Sequence, residues 1–126
     1  MKVLLIDDSR TMRNIQKKVL SANPAIEFAE AGDGVEALAV IAATPGGFDL
    51  LIVDWNMPNM DGITLVRKVR ETDKTTLMIM ATTEAEKGRV LEAVRAGVNN
   101  YVVKPFTPEA LLEKVTATLA KAKKVA

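Results

Sequence analysis

Five side chains that could do chemistry stand at or just past the ends of short apolar runs in this chain. Asp7 and Asp8 follow the first run, and Asp54 follows the third. Thr82 follows the fourth run, and Lys104 follows the fifth. The sequence contains no Cys and no His, which excludes a thiol nucleophile, an imidazole base and a histidine-bound zinc. Any chemistry must therefore use carboxylates, hydroxyls and lysine.

The three aspartates predict a bound metal ion. Carboxylates gathered at adjacent strand ends repel one another, and burying unpaired charge is costly. A cation would remove that repulsion, and all-oxygen ligands favour a hard one, Mg²⁺ before Ca²⁺. Together with Lys104 and Thr82, the set contains a nucleophile and groups that offset charge on phosphoryl oxygens. The residues therefore favour phosphoryl transfer.

Each of these residues also has an ordinary structural explanation when it is taken alone. Asp7 and Asp8 could simply cap a helix, and Tyr101 could be a packed aromatic. Lys104 could be solvated, with Pro105 ending the strand. The Lys104–Pro105 bond is also of the type that can be cis, which would fix the approach of the lysine. The functional interpretation depends on all of these residues reaching one edge of a sheet.

Apolar runs and segments of helical periodicity alternate along the whole chain. The predicted strands are Val3–Ile6, Ile26–Glu30 at or near a sheet edge, Leu50–Val53, Leu77–Ala81 and Tyr101–Val103. A helix follows each strand, with apolar faces at Met12, Ile15, Val19 and Leu20; at Val35, Leu38, Ala39 and Ala42; at Ile63, Leu65, Val66 and Val69; at Val90, Leu91 and Val94; and at Leu111, Leu112, Val115 and Leu119. Ser9 is the predicted N-cap of the first helix, and Gly97 ends the fourth.

Five strand–helix units in series predict an α/β fold, a doubly wound five-stranded parallel sheet with helices on both faces. In such sheets ligands bind beyond the carboxyl ends of the strands, where the five polar residues should meet. We expect residues 1–126 to form a single domain. The tail at residues 121–124 is expected to be a solvated helix end.

Composition excludes several classes of protein. Lys and Arg number 17 against 16 Asp and Glu, so the net charge of +1 does not favour a general nucleic-acid binder or a polybasic membrane anchor. The first apolar run ends at Asp7, too early for a signal peptide, and no stretch approaches the roughly 20 apolar residues of a membrane span. We expect a cytoplasmic protein.

Motifs at five places resemble the receiver domains of two-component response regulators, in particular the single-domain regulators of chemotaxis. They are Asp7-Asp8, Asp54, Asn56-Met57-Pro58 with Asp61-Gly62, Thr82, and Tyr101-Val102-Val103-Lys104-Pro105-Phe106. The resemblance covers essentially the whole chain. It implies a flavodoxin-like strand order of 2-1-3-4-5, which periodicity alone does not provide.

The resemblance also implies a role for each matching residue. Asp54 would be the phosphoacceptor, with Lys104 and Thr82 binding the phosphoryl oxygens. The Mg²⁺ ligands would be Asp7 (largely through water), Asp8, Asp54 and the backbone carbonyl of Asn56. Thr82 and Tyr101 would form the switch, and Asn56 and Glu84 would tune autodephosphorylation.

The implied partners are proteins. A sensor histidine kinase would donate the phosphoryl group from a phosphohistidine, because this chain has no His of its own. An output protein such as a flagellar motor switch protein would bind the phosphorylated form, and a phosphatase could act on it. The chain would be a monomeric signalling switch rather than an enzyme, catalysing only its own phosphotransfer and autodephosphorylation.

Three other interpretations stay open. The segment Gly32–Ala37 fits G-x-G-x-x-A, a dinucleotide-binding pattern, although Asp33 would set a negative charge where pyrophosphate binds. A Mg²⁺-dependent phosphatase with an aspartyl-phosphate intermediate would use the same nucleophile, metal and lysine, but the chain offers no insertion long enough for a substrate cap. The chain could also be a receiver cut from, or acting within, a larger regulator.

Overall fold

The computed structural model describes residues 1–83 and 88–125, in which strands and helices alternate. The strands are β1 (Lys2–Ile6), β2 (Glu27–Ala31), β3 (Leu50–Asp54), β4 (Leu77–Thr83) and β5 (Asn100–Lys104). The helices are α1 (Arg10–Leu20), α2 (Gly34–Ala42), α3 (Gly62–Arg70), α4 (Val90–Ala96) and α5 (Pro108–Val125). The predicted order of elements is confirmed.

All four strand pairings are parallel, and the strand order is β2-β1-β3-β4-β5. This is the order implied by the resemblance, and β2 lies at an edge as its weaker apolar pattern predicts. The order reverses between β1 and β3, which are neighbours in the sheet with Leu4 beside Leu51. The carboxyl ends of these two strands form the crevice where ligands bind in open sheets of this type.

The sheet separates two apolar cores, so helices cover both of its faces. One core contains buried residues of α2, α3 and α4, including Ala37, Val66 and Ala93. The other contains buried residues of α1 and α5, including Leu20 and Leu111. The central strand β3 is buried along its whole length because both cores pack against it.

Three strands extend into polar residues of the site that their predicted bounds did not include. β3 includes Asp54, β4 continues through Thr83, and β5 includes Lys104. Backbone pairing causes the difference, since Asp54 stays in register with Ala81 and Thr83 with Lys104. The polar side chains of the site therefore belong to the sheet itself and have a rigid backbone beneath them.

Four predicted helix faces are wrong in part. In α1, Ile15 is 43% exposed and the neighbouring Gln16 is buried. In α2, Val35 is 53% exposed, whereas Gly34 and Ala37 are buried. In α4, Leu91 and Val94 are exposed and Ala93 is the buried residue, and in α5 Leu112 is exposed. Small or polar residues occupy several of the inward positions, and hydrophobicity alone does not reveal such positions.

The helix ends follow the chemistry that the sequence indicates. Ser9, Asp33 and Asp61 each accept a hydrogen bond from the backbone N–H three residues ahead, at 3.1, 2.8 and 2.9 Å. Gly97 ends α4 with φ of 118°, a left-handed conformation that favours glycine. Among the described residues, no helix is both long enough and apolar enough to cross a membrane.

Candidate metal centre

Three carboxylates meet at the carboxyl end of β1 and β3. Asp7 continues the β1 ladder by donating its N–H to the Ala31 carbonyl at 3.1 Å, and Asp54 is the last residue of β3. One oxygen from each of Asp7, Asp8 and Asp54 lies within 4.8 Å of the others. Asp7 and Asp54 are buried and Asp8 is exposed, so the cluster has a dry base and an open side.

Lys104 connects two of these carboxylates. Its Nζ lies 2.9 Å from Asp7 Oδ2 and 2.9 Å from Asp54 Oδ1. Lys104 belongs to β5, so its side chain reaches across the end of β4 to contact residues of β1 and β3. The Lys104–Pro105 peptide bond is cis.

The electrostatics of the site are set by burial and by the excess of negative charge. The pKa of Asp54 is raised to about 6, mainly by burial and to a smaller extent by the charges of Asp7 and Asp8, against the lowering effect of Lys104. For Lys104, burial lowers the pKa, but the hydrogen bonds to Asp7 and Asp54 outweigh it and the net shift is upward. One lysine does not compensate three carboxylates, so the cluster favours a further cation.

Thr82 contributes a buried hydroxyl beside this cluster. It is fully buried on β4, one position beyond Ala81, the register partner of Asp54. Its Oγ1 has no hydrogen-bond partner among the described residues. A buried hydroxyl without a partner is costly and is best explained by a ligand or a second conformation that satisfies it.

The donor set fits a hard divalent cation. Carboxylate oxygens are the ligands that Mg²⁺ and Ca²⁺ prefer, and the open side at Asp8 leaves access for water and phosphate oxygens. Asn56 is exposed and lies two residues beyond Asp54, at the start of the loop between β3 and α3. Its carbonyl stays a predicted fourth protein ligand.

The backbone around Asp54 admits only glycine at position 62. A Cβ built on Gly62 would lie 2.2 Å from the Asp54 carbonyl oxygen, and the Gly62 N–H donates to the Trp55 carbonyl at 2.8 Å. The start of α3 therefore packs directly on the residue that carries the carboxylate. The Asp61-Gly62 motif gave a signal for this, although periodicity assigned Gly62 no role.

Two residues that hold Asp7 were not predicted at the site. Ser9 donates its backbone N–H to Asp7 Oδ1 at 2.9 Å, in addition to capping α1. Arg13 donates from Nη1 to the Asp7 carbonyl, and its Nε pairs with Glu30 at 3.0 Å. Arg13 lies one helical turn beyond the cap, and no sequence motif marks it.

The predicted switch residues lie further along the same edge. Tyr101 on β5 is partly buried at the border of the α2–α4 core, and Lys114 Nζ lies 4.7 Å from its ring centroid. Tyr101 is in register with Met80, and Thr82 with Val103. Glu84, predicted to tune autodephosphorylation, lies outside the described residues.

Trp55 points into the core formed with α2, α3 and α4, whereas Asp54 faces Lys104. The two side chains therefore point to opposite faces of the sheet, as alternation along a strand predicts. Only 1% of Trp55 is exposed, and the Arg89 guanidinium carbon lies 4.7 Å from its ring centroid. The indole is thus placed beside the carboxylate cluster without contributing to it.

The glycine-rich segment after β2 does not form a phosphate cradle. Asp33 already occupies the N-terminus of α2, accepting from the Glu36 N–H at 2.8 Å. A Cβ on Gly34 would lie 2.9 Å from side-chain atoms of Met60, so a larger residue there would have to displace that side chain. These contacts favour the turn interpretation over dinucleotide binding.

The sequence is similar to those of known signalling proteins. The family model of the response regulator receiver domain matches residues 3–116. Chemotaxis protein CheY1 of Helicobacter pylori is 49% identical over 121 residues, covering 94% of this chain and 97% of that protein. Chemotaxis protein CheY of Pseudomonas aeruginosa is 47% identical over 117 residues, covering 91% and 93%.

Solved structures give the same result. The chemotaxis response regulator CheY4 of Vibrio cholerae has a TM-score of 0.82 at 38% identity, covering 93% of this chain and 97% of that chain. A probable two-component response regulator/GGDEF domain protein has a TM-score of 0.89 at 32% identity, where 98% of this chain matches 50% of the longer protein.

Proposed function

This chain belongs to the response regulator receiver family, and on that premise we propose that it is a phosphorylation-activated switch of a chemotaxis two-component system, with Asp54 as phosphoacceptor. The observation that carries the proposal is Lys104, whose ammonium group lies 2.9 Å from both Asp54 and Asp7 in a cluster of three carboxylates. A buried nucleophile, a metal-binding cluster and a fixed cation are the parts that phosphoryl transfer needs.

The transfer step exchanges one phosphorus bond for another. The nitrogen–phosphorus bond of a donor phosphohistidine breaks, and a carboxylate oxygen of Asp54 forms the new bond to phosphorus. The donor imidazole keeps the electron pair of the broken bond. Because the pKa of Asp54 is raised only to about 6, the carboxylate is ionised at neutral pH and can act as the nucleophile.

The surrounding residues hold the reacting group. Asp7, Asp8, Asp54 and the carbonyl of Asn56 would bind Mg²⁺, which when bound offsets the negative charge of the carboxylates and of the phosphoryl oxygens. Lys104 is already in contact with Asp54 and would pair with a phosphoryl oxygen.

The switch would use the unsatisfied hydroxyl of Thr82. On phosphorylation Thr82 turns toward a phosphoryl oxygen, which supplies the partner that its Oγ1 lacks among the described residues. Its movement makes space into which Tyr101 turns, and this biases a two-state surface formed by α4, β5 and α5. Asn56 and Glu84 would tune the rate of autodephosphorylation.

The partners follow from the relatives, which are named chemotaxis proteins. We infer a CheA-like histidine kinase as phosphodonor and a flagellar motor switch protein as output, with a phosphatase as a further partner. We propose that the protein is a monomer and acts in the cytoplasm. Catalysis would be confined to its own phosphorylation and autodephosphorylation, so phosphomonoester substrates should not be turned over.

We also propose that residues 1–126 form a single receiver domain, because the matched relatives are covered over 97% and 93% of their length. A receiver module of a larger regulator is the second candidate, favoured by the match to half of a longer protein. Motor-switch binding by the phosphorylated 126-residue chain alone would support the first.

Labelling identifies the phosphoacceptor. Incubation with acetyl phosphate and Mg²⁺ should add one phosphoryl group to the parent protein and none to Asp54→Asn, as measured by intact mass. Peptide mapping after borohydride reduction should place it at Asp54. A phosphoryl group on Asp7, Asp8 or a hydroxyl would refute the assignment.

A further inference from the structure

The loop between β3 and α3, residues 55–61, is fastened at two places. At its base, the Gly62 N–H donates to the Trp55 carbonyl at 2.8 Å. At its tip, Asn59 Nδ2 donates to Asp33 Oδ2 at 2.8 Å. Asn56, the predicted metal ligand of this loop, lies between the two attachments.

At the tip, Asn59 has a backbone conformation that is uncommon outside glycine, although Asn adopts it more readily than most residues. Its φ is 67°, and it is the one non-glycine residue with positive φ among those that the structure describes. Left-handed conformations of this kind persist where the surroundings fix them, and they concentrate at functional sites. The hydrogen bond to Asp33 fixes this one.

Asp33 uses both of its oxygens. Oδ1 accepts from the Glu36 N–H at 2.8 Å and caps α2, while Oδ2 accepts from Asn59 at 2.8 Å. The hydrogen bond from Glu36 is the main reason, and that from Asn59 the second, why the pKa of Asp33 lies below its usual range. Both oxygens therefore remain acceptors at neutral pH. The functions of cap and of loop attachment are therefore separable by substitution.

A second contact joins the same two segments. A Cβ added to Gly34, the first residue of α2, would lie 2.9 Å from Met60 side-chain atoms. The start of α2 and the tip of the loop are thus in close contact through neighbouring residues, Asp33–Asn59 and Gly34–Met60.

We propose that Asp33 is a positioning residue for Mg²⁺ binding, because it ties Asn59 to the start of α2 and so orders the loop that presents Asn56 to the metal. This inference rests on the proposed function, since it requires the carboxylate cluster to bind Mg²⁺. Asp33 acts through the loop and contributes no ligand of its own.

Four variants separate the contributions, with Mg²⁺ affinity measured by titration calorimetry on the full chain. Asp33→Ser keeps one oxygen for the cap and loses the bond to Asn59, so affinity should fall about threefold. Asp33→Ala also loses the cap, so it should be less stable to urea than Asp33→Ser but bind Mg²⁺ equally. Asp33→Asn removes the charge but keeps both bonds once the Asn59 amide turns over, so affinity should be close to that of the parent.

The fourth variant supplies the coupling test. Asn59→Gly suits the left-handed backbone but cannot donate to Asp33, so its Mg²⁺ affinity should fall as in Asp33→Ser. The double variant, with both Asp33→Ser and Asn59→Gly, should bind Mg²⁺ no more weakly than either single variant, because each substitution removes the same hydrogen bond. Losses of Mg²⁺ affinity that add in the double variant would overturn the inference. Equal losses in Asp33→Ser and Asp33→Asn would also overturn it, because they would show that only the charge of Asp33 matters.

The same titrations separate this inference from the proposed function. A parent protein that binds no Mg²⁺ refutes both. A parent that binds Mg²⁺, with Asp33→Ser binding it equally well, overturns only the positioning role and leaves the carboxylate cluster as the metal site. The expected threefold loss of Mg²⁺ affinity in Asp33→Ser, shared by the less stable Asp33→Ala, supports it.

Discussion

At the scale of single residues, Asp54 is in an unfavourable electrostatic position. Its side chain is 10% exposed, and its pKa is raised from 3.8 to about 6, with burial the largest cause. The folded state therefore binds a proton there more tightly than the unfolded state, and the contribution of Asp54 to stability falls as pH rises from about 4 to about 6. When Asp54 is ionised, its buried charge destabilises the folded state. Metal binding or the proposed phosphorylation would reduce that destabilisation.

A pH series on Asp54→Asn tests this. Because Asn does not ionise, the unfolding free energy of the variant minus that of the parent should increase by about 2 kcal/mol between pH 4 and pH 7. Urea unfolding in the presence of EDTA, followed by far-ultraviolet circular dichroism, gives the difference at each pH. A difference independent of pH would contradict the raised pKa.

Lys104 should couple phosphorylation of Asp54 to the surface that binds the partner protein. Lys104→Ala should still accept phosphate from acetyl phosphate, since nucleophile and metal ligands are intact. It should lose most of the phosphorylation-dependent increase in affinity for the motor switch protein, because the contact from β5 to the phosphoryl group is gone.

The matched control is Lys18→Ala, which removes an exposed lysine of α1. Its affinity for the motor switch protein, measured by surface plasmon resonance with and without acetyl phosphate, should rise on phosphorylation as in the parent. An equal rise in Lys104→Ala would show that the coupling runs by another route.

At the scale of elements, the junction between β3 and α3 has no spare volume. Gly62→Ala would force a Cβ to 2.2 Å from the Asp54 carbonyl, so one of the two elements must shift. We expect a loss of at least about 2 kcal/mol in the free energy of unfolding. Gly88→Ala is the matched control, because no atom of the described residues lies within 4 Å of a Cβ there, and it should change stability by less than about 0.5 kcal/mol.

Sequence periodicity predicted the order of strands and helices because apolar residues recur along the chain with the spacing of each type of element. It identified Asp7, Asp54 and Lys104 as strand-end residues, and the structure brings them into contact. It could not predict that one lysine reaches two carboxylates across an intervening strand, since that depends on strand order, which only the family resemblance supplied. It also misplaced Ile15, because periodicity assigns the apolar residue to the buried face, whereas the structure buries the neighbouring Gln16.

At the scale of the whole molecule, metal binding should stabilise the fold. Mg²⁺ that binds only the folded state adds about 2.7 kcal/mol at a hundred times its dissociation constant. Trp55 is the single tryptophan, and it follows Asp54 directly, so its fluorescence should change modestly over the same titration. The two signals should give one dissociation constant.

Two variants locate that effect. Asp8→Asn should abolish both the stabilisation and the fluorescence change. Asp49→Asn removes a carboxylate from the opposite end of the sheet, where it accepts from the Lys2 N–H at 2.8 Å, and should leave the response to Mg²⁺ intact. Stabilisation that survives in Asp8→Asn would mean that the metal binds elsewhere.

The ion pairs of Lys104 also decide when the site comes into existence. Lys104 is separated by 97 residues from Asp7 and by 50 from Asp54, so the pairs join early and late parts of the chain. On the ribosome, all three aspartates emerge long before their lysine. A nascent chain that ends before β5 carries the proposed phosphoacceptor but lacks the cation that holds it, so it can become competent to signal only after β5 has emerged.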